Sequence, residues 1–239
     1  MDLKELTSGV DPSTHWYYQT KIIRLRECFA KLATREPASW TCIDIGAGSG
    51  FFSETLLREF PDAINHAVLV DTGYTDADLA AASTGRLLKR REIPETIERS
   101  FVILMDVLEH LPEEKVVLQP LRERSRGDNR FFITVPAFQS VWSNHDAVLG
   151  HYRRYTKSSL KTVLVNAGFQ VERVYYIYRL IFPLVWAYRK LHRAPSEHSD
   201  MKPVHPFLND VLRRVNAWEI QLDRMNYQFG LTCVAEGRI

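Results

Sequence analysis

Short apolar runs alternate with amphipathic stretches over most of this chain. Residues 13–35 place Trp16, Ile22, Ile23, Leu25, Phe29 and Leu32 at mixed three- and four-residue spacing, which predicts a helix that Pro37 stops. "WTCIDIG" predicts a buried strand leading into "GAGSG", and "FFSETLLREF" predicts a helix ending at Pro61. "HAVLVD" predicts a second strand, "DADLAAAS" a short helix, "GRLLKRREI" a third strand of mixed character and "SFVILMD" a fourth. "EEKVVLQPLRER" predicts an amphipathic helix distorted by Pro120, followed by a fifth strand, "RFFITVP". "TKSSLKTVLVNAGF" reads as a capped helix ending at Gly168, "QVERVYYIY" as a sixth strand and "GLTCVAEGRI" as the last. Residues 180–226 are mostly helical in pattern, broken by a polar, proline-bearing loop, Arg193–Pro206. Within it, Ala194–Val204 is the best candidate for movement. Strand–helix alternation of this kind predicts a parallel sheet with helices on both faces.

The 239 residues suit one domain, 1–239, with a sizeable core, an N-terminal helical lid over 1–37 and a helical insertion at 180–226 before the last strand. Hydrophobic residues make up 45% and charged residues 25%, as in a soluble globular protein. A net charge of +2 is too near neutral for a dedicated nucleic-acid binder, so no nucleic-acid partner is expected. Cys28, Cys42 and Cys233 show no paired spacing, which argues against a disulfide scaffold and fits a reducing, cytoplasmic setting. The first thirteen residues carry no apolar signal core. Val174–Tyr188 is strongly apolar and aromatic, but Arg179 and Pro183 interrupt it and it falls short of the roughly 20 residues a spanning helix needs. "YIYRLIFPLVWAYRKLHR" suits a homodimer face or a cover over a greasy small molecule, and, behind these, peripheral contact with a membrane.

The glycine loop narrows the chemistry. Gly46, Gly48 and Gly50 sit between a strand and a helix as G-x-G-x-G, with Phe51 where a dinucleotide fingerprint would want its third glycine. Asp44, two residues before the loop, suits an ammonium group better than a pyrophosphate. Asp71 ends the next strand, where a carboxylate can accept both hydrogen bonds of a ribose diol. An amine near one acid and a ribose near another describe S-adenosylmethionine.

"TCIDIGAGSGFFSETLL", "AVLVD", "SFVILMDVLEHLPEE" and the terminal "GLTCVAEGR", in that order and spacing, resemble class I S-adenosylmethionine-dependent methyltransferases over nearly the whole chain. The resemblance implies an α/β, Rossmann-like seven-stranded sheet of order 3-2-1-4-5-7-6 with strand 7 antiparallel. It also implies cofactor contacts at Asp44, Gly46, Gly48, Gly50 and Asp71, with Asp106 beside them. The adenine-reading Asp or Asn of many members has no clean counterpart in "KRREIPETIERS", where Glu92 is the nearest substitute. "HWYY" and "VPAFQSVWSNHDAVLGHYRRYTKSSL" are similar to a group of small-molecule methyltransferases met beside bacterial glycan and natural-product genes.

In such a fold the end of strand 4 faces the methyl group, so Asp106, Glu109 and His110 stand at the mouth of the site. Three readings stay open. The acids line or support the pocket while His110 packs; the three hold a divalent ion, magnesium, manganese or zinc, resembling the acid-x-x-Glu-His pattern of ubiquinone-pathway O-methyltransferases; or His110 is a general base. The loop after strand 5 concentrates Trp142, His145, Asp146, His151, Arg153 and Arg154. His145, beside Asp146, is the first candidate for proton handling and His151 the second. Arg153 and Arg154 suit a carboxylate or phosphate on the acceptor. Trp16 and Tyr17, flanked by His15 and Tyr18, either close over the site or fill core. The expectation is methyl transfer to a small-molecule acceptor, foremost to oxygen with a histidine base. Nitrogen or carbon methylation, RNA methylation and non-catalytic cofactor binding are the alternatives.

Overall fold

In a computed structural model, residues 10–37, 39–81, 85–191, 204–222 and 228–239 are described. The loop read as mobile, Ala194–Val204, lies outside them except for Val204, as do residues 1–9 of the N-terminal segment.

Seven strands form one sheet: β1 (Trp40–Ile45), β2 (Ile64–Val70), β3 (Leu87–Arg90), β4 (Ser100–Met105), β5 (Arg130–Pro136), β6 (Gln170–Ile177) and β7 (Thr232–Arg238). Their order is β3-β2-β1-β4-β5-β7-β6, and β7 runs antiparallel to both neighbours. This is the expected topology. The central strand β4 is buried at every position and alternates between the two sides: Phe101, Ile103 and Met105 join one core, Val102 and Leu104 the other. The edge strand β3 is only four residues long, and Lys89 and Arg90 at its end discourage pairing with another chain.

The first core is closed by α1 (Trp16–Arg35) through Tyr18, Ile22, Leu25 and Phe29, and by α2 (Phe51–Glu59) through Phe52 and Leu56. A short helix, α3 (Asp76–Ala81), precedes β3. The second core receives Leu118 and Leu121 from α4 (Lys115–Arg124), which carries Pro120 in its interior. The loop after β5 contains a six-residue helix the apolar pattern does not announce, α5 (Asn144–Leu149). Leu160 and Leu164 of α6 (Lys157–Asn166) complete the second core; Thr156 caps this helix by accepting from the Ser159 N–H at 3.1 Å. The segment read as an insertion forms α7 (Phe182–Leu191) and α8 (Pro206–Gln221). Asn209 of α8 ties down the start of α1: its Oδ1 accepts from the Trp16 N–H at 2.9 Å and its amide donates to the Thr14 carbonyl at 2.9 Å. α1 is therefore a core layer along its length, with aromatics gathered at its N-terminal end.

Candidate active site

Three strand ends converge at the carboxyl edge of the sheet. After β1 the chain turns through the glycine loop, and Gly46 (φ +67°) donates to the Val70 carbonyl at the end of β2 at 2.7 Å. A Cβ on Gly46 would stand 2.7 Å from Val107 Cγ2, so the loop lies directly against the turn after β4. Asp71 braces it: its Oδ2 accepts from the Gly48 N–H at 2.8 Å and its Oδ1 from the Gly73 N–H at 2.9 Å. Each oxygen keeps acceptor capacity for another donor. Asp44 is buried beneath the loop, and its Oδ2 has no hydrogen-bond partner among the described residues. Burial, opposed by Ser53 and reinforced by the nearby Asp71 charge, raises its carboxyl to about 6. Tyr18 stands 6.3 and 6.2 Å from the rings of Phe51 and Phe52 at the start of α2, bringing the N-terminal aromatics beside the loop.

At the end of β4, Asp106 adopts a left-handed conformation (φ +57°), uncommon for a residue with a Cβ. Its Oδ1 accepts from Thr134 Oγ1 at 3.0 Å; its Oδ2 accepts from Tyr17 Oη at 3.0 Å and pairs with Lys21 Nζ. Burial would raise this carboxyl, but the Lys21 ammonium and the Tyr17 hydroxyl bring it down to about 2. Lys21 is 1% exposed and also donates to Tyr17 Oη at 2.8 Å. The apolar pattern of the sequence does not mark it. Lys21 is one helical turn from Tyr17 and from Leu25, so its place at the edge of the buried face of α1 was legible, but its partner 85 residues away was not. Tyr17 is further fixed by stacking on Tyr178 at 5.3 Å. Tyr178 donates to the Tyr17 carbonyl at 2.6 Å, and Trp16 packs edge-on against Tyr178 at 5.7 Å.

Beyond Asp106 the chain makes a single 3-10 turn, Leu108–His110. Glu109 is 0% exposed, and neither carboxylate oxygen has a hydrogen-bond partner among the described residues. Burial, helped by the Asp106 charge, drives its carboxyl well above the usual range. Its backbone carbonyl accepts from the Tyr152 N–H at 2.7 Å, which fastens the loop after β5 to the turn after β4. Among the described residues, Glu109, His110 and His151 each bring a ligand atom to within 4.8 Å of the others'. The grouping expected from sequence, Asp106 with Glu109 and His110, is not the one that forms. Asp106 is turned to Lys21, Tyr17 and Thr134, and His151 supplies the third member from the other loop.

Asp146 organises that loop. As the third residue of α5 its Oδ2 accepts from the Ser143 N–H at 2.9 Å, completing a capping box. Its carboxylate also accepts from Arg154 Nε at 2.7 Å and Nη2 at 3.0 Å, and His151 Nδ1 lies 2.9 Å from Oδ1. Burial opposes ionisation of Asp146, but His151 and Arg154 outweigh it and hold the carboxyl well below the ordinary range. An ionised carboxylate can only accept, so Nδ1 of His151 carries the proton between them; in the neutral ring that tautomer makes Nε2 the acceptor. The partner of Asp146 is therefore His151, five residues on, rather than the adjacent His145, whose ring centroid lies 6.4 Å from that of His151. The His110 ring meets His151 edge-on at 4.6 Å. Arg154 is spent on Asp146 and the Ala137 carbonyl, and Arg153 pairs with Glu114 at 2.6 Å and donates to the Pro112 carbonyl. Neither guanidinium presents the open fork expected for an acceptor anion. Trp142 is half-buried, just after the 3-10 turn Gln139–Val141.

A mostly parallel seven-stranded sheet of this order, with a glycine loop after its first strand and an acid just beyond its second, is the Rossmann-like fold of class I methyltransferases. The sequence profile of a family described as "Methyltransferase domain" matches residues 16–174, and the chain belongs to that family. Its cofactor is S-adenosylmethionine. No curated protein matches the chain in sequence. Among solved structures, a SAM-dependent methyltransferase from Archaeoglobus fulgidus is similar over 99% of this chain and 98% of its own, with 16% identity and a TM-score of 0.54. A putative sarcosine dimethylglycine methyltransferase from Galdieria sulphuraria aligns over 90% and 85%, at 12% identity and a TM-score of 0.52. A phosphoethanolamine N-methyltransferase from Haemonchus contortus, solved with S-adenosyl-L-methionine, aligns over 89% of this chain and 52% of its own, at 13% identity and a TM-score of 0.53. At these identities the likeness is one of fold.

Proposed function

We propose that this methyltransferase acts on a hydroxyl oxygen of a small-molecule acceptor, with His151 as the base and Asp146 as the group that orients it. The observation that carries the reading is the Asp146–His151 pair, held at 2.9 Å beside His110 and Glu109 at the sheet edge where the glycine loop also lies. A carboxylate behind a histidine is the usual arrangement for fixing one tautomer and supporting the charge that develops when the ring accepts a proton. Asp44 suits the cofactor's ammonium because its inner oxygen is buried and unpartnered, and Asp71 retains acceptor capacity for a ribose diol. Bound S-adenosylmethionine supplies an electrophilic methyl group on a sulfonium, displaced in line with the electron pair left on sulfur. The work of the chain is to align the acceptor oxygen and take its proton on His151 Nε2. The N-methyltransferase among the structural relatives keeps nitrogen as the alternative acceptor atom.

One observation favours a second reading. Glu109 is buried with both oxygens unpartnered, and it shares a 4.8 Å cluster with two imidazoles, a donor set that fits a divalent cation. In that case Glu109, His110 and His151 hold the ion, and Asp146 fixes the His151 ring behind it. Such an ion would lower the pKa of an acceptor hydroxyl.

S-adenosylhomocysteine formation from S-adenosylmethionine in the presence of each member of a panel of phenols, sugars and hydroxy acids tests both readings. With an acceptor in hand, His151→Ala should lose about 10²-fold or more in turnover while S-adenosylhomocysteine binding by calorimetry is kept. Loss of turnover on chelation, restored by magnesium or zinc, selects the metal reading. Normal turnover in His151→Ala refutes both.

A further inference from the structure

The insertion between β6 and β7 carries the most conspicuous feature that methyl transfer leaves unexplained. None of the ten residues of α7 is buried. Leu184, Tyr188 and Leu191 recur at i, i+4 and i+7, so they share one side of the helix, and Leu191 is 80% exposed. Trp186 stands on the flank with Lys190, whose Nζ lies 5.8 Å from its ring. α8 repeats the arrangement: Phe207, Val211, Trp218 and Leu222 follow one line along its outer side, with Phe207 75% exposed. Its inner side buries Asn216, Glu219 and Ile220 against the protein. Each helix thus carries an apolar stripe that faces solvent, and in α8 this stripe lies opposite the packed side. Stripes of this size and order mark an interaction surface.

We propose that these outer faces of α7 and α8 seat the protein on an anionic lipid surface. Charge decides the occupant. Arg214, 76% exposed, stands at the i+7 position in the middle of the α8 stripe. It shares the single carboxylate of Asp210 with Arg213, at 2.7 and 2.6 Å, so one acid serves two guanidiniums and the helix face stays positive. Lys190 adds a further exposed cation beside the α7 stripe. A dry interface with a second copy would have to desolvate these charges among the apolar side chains, at a cost their exposed pairs do not offset. At headgroup depth the same side chains lay their stems along the apolar surface and direct their heads to lipid phosphates. Trp186, Tyr188 and Trp218 are the amphipathic rings that favour that depth. No helix among the described residues is long and apolar enough to cross a membrane, so the contact is one of lying on the surface. On its inner side Arg189 of α7 donates to the Val141 carbonyl at 2.7 Å and stands 3.8 Å from Asp146, which joins the docking helix to the loop that holds His151.

Co-sedimentation of the full chain with sucrose-loaded vesicles tests this. The wild-type protein should partition about tenfold more strongly onto phosphatidylcholine vesicles containing phosphatidylglycerol than onto phosphatidylcholine alone, and the gap should shrink as salt rises. Trp218→Ser and the double variant Leu184→Ser/Leu191→Ser should each lose about tenfold in partition. Thermal unfolding and S-adenosylhomocysteine calorimetry are run on both variants, which should unfold cooperatively and bind as the wild type does. Folded wild-type protein that stays in the supernatant with anionic vesicles overturns the proposal, and so do variants that sediment as well as the wild type. A dimer in analytical ultracentrifugation that Trp218→Ser dissociates, without vesicle binding, assigns the face to a second copy instead.

Discussion

Replacing Lys21 by Met should destabilise the protein by about 2–3 kcal/mol at pH 7, and the deficit should fade in acid. Lys21 is 1% exposed, and Asp106, its partner, keeps a quarter of its side chain in contact with solvent. Methionine has a similar volume, so the packing of α1 is nearly preserved and the charge is what changes. Removing one partner of a fully buried pair costs about 3–5 kcal/mol because the other charge is left unpaired; the solvent that reaches Asp106 lowers that figure. An independent route agrees. The fall of the Asp106 carboxyl from an ordinary 3.8 to about 2 corresponds to about 2 kcal/mol of stability at neutral pH. Because the folded value is the depressed one, this stability is fully present above about pH 4 and is lost as pH falls through 2. Without Lys21, burial pushes the Asp106 carboxyl upward, so the variant has nothing to lose in that window. Urea unfolding at pH 7, 4 and 2.5 should therefore show the gap between wild type and Lys21→Met closing toward low pH. The double variant Lys21→Met/Asp106→Asn should recover part of the loss, since no unpaired charge remains. A gap below about 0.5 kcal/mol at pH 7, or one that stays constant across the range, would refute the assignment of this pair as a major tether of α1 to the sheet edge.

Two further outcomes follow from the glycine loop. If Asp44, raised to about 6, receives the cofactor's ammonium in its ionised form, calorimetric affinity for S-adenosylhomocysteine should rise with pH through 6 and be about tenfold weaker at pH 5 than at pH 7. Asp44→Asn should bind weakly with that slope abolished, and a wild-type affinity independent of pH over this range would remove Asp44 from the contact. Gly46→Ala imposes φ +67° on a residue with a Cβ and brings that carbon against Val107, so it should cost about 1–2 kcal/mol in urea unfolding. Val107→Ala in the same chain should return the clash component and leave the backbone strain. A Gly46→Ala protein as stable as the wild type would show that the loop relaxes freely.

Local pattern was sufficient for the framework of this protein. "RFFITVP" is a strand from Arg130 to Pro136, and "FFSETLLREF" a helix from Phe51 to Glu59, because strand and helix burial write their periods directly into consecutive residues. The sheet order came from the resemblance of the glycine loop and strand ends to a known family, and the observed order is the same. Boundaries blurred where periodicity was weak: "GRLLKRREI" contributes only Leu87–Arg90, and α5 was hidden in a polar loop whose helix is nucleated by a capping box rather than by an apolar stripe. The polar partnerships were decided by tertiary structure alone. The residue types at the site were visible in order along the chain, yet Asp106 pairs with Lys21 across 85 residues, and Asp146 turns to His151 and Arg154 instead of the neighbouring His145. Arg153 and Arg154, which look available in sequence, are consumed by Glu114 and Asp146. The physical reason is that a buried charge is stabilised by whichever counter-charge the packed chain brings within hydrogen-bonding reach, and that proximity depends on how α1 and the loop after β5 settle against the sheet. Sequence fixes which groups exist and which elements carry them; only the packing of those elements selects which groups meet.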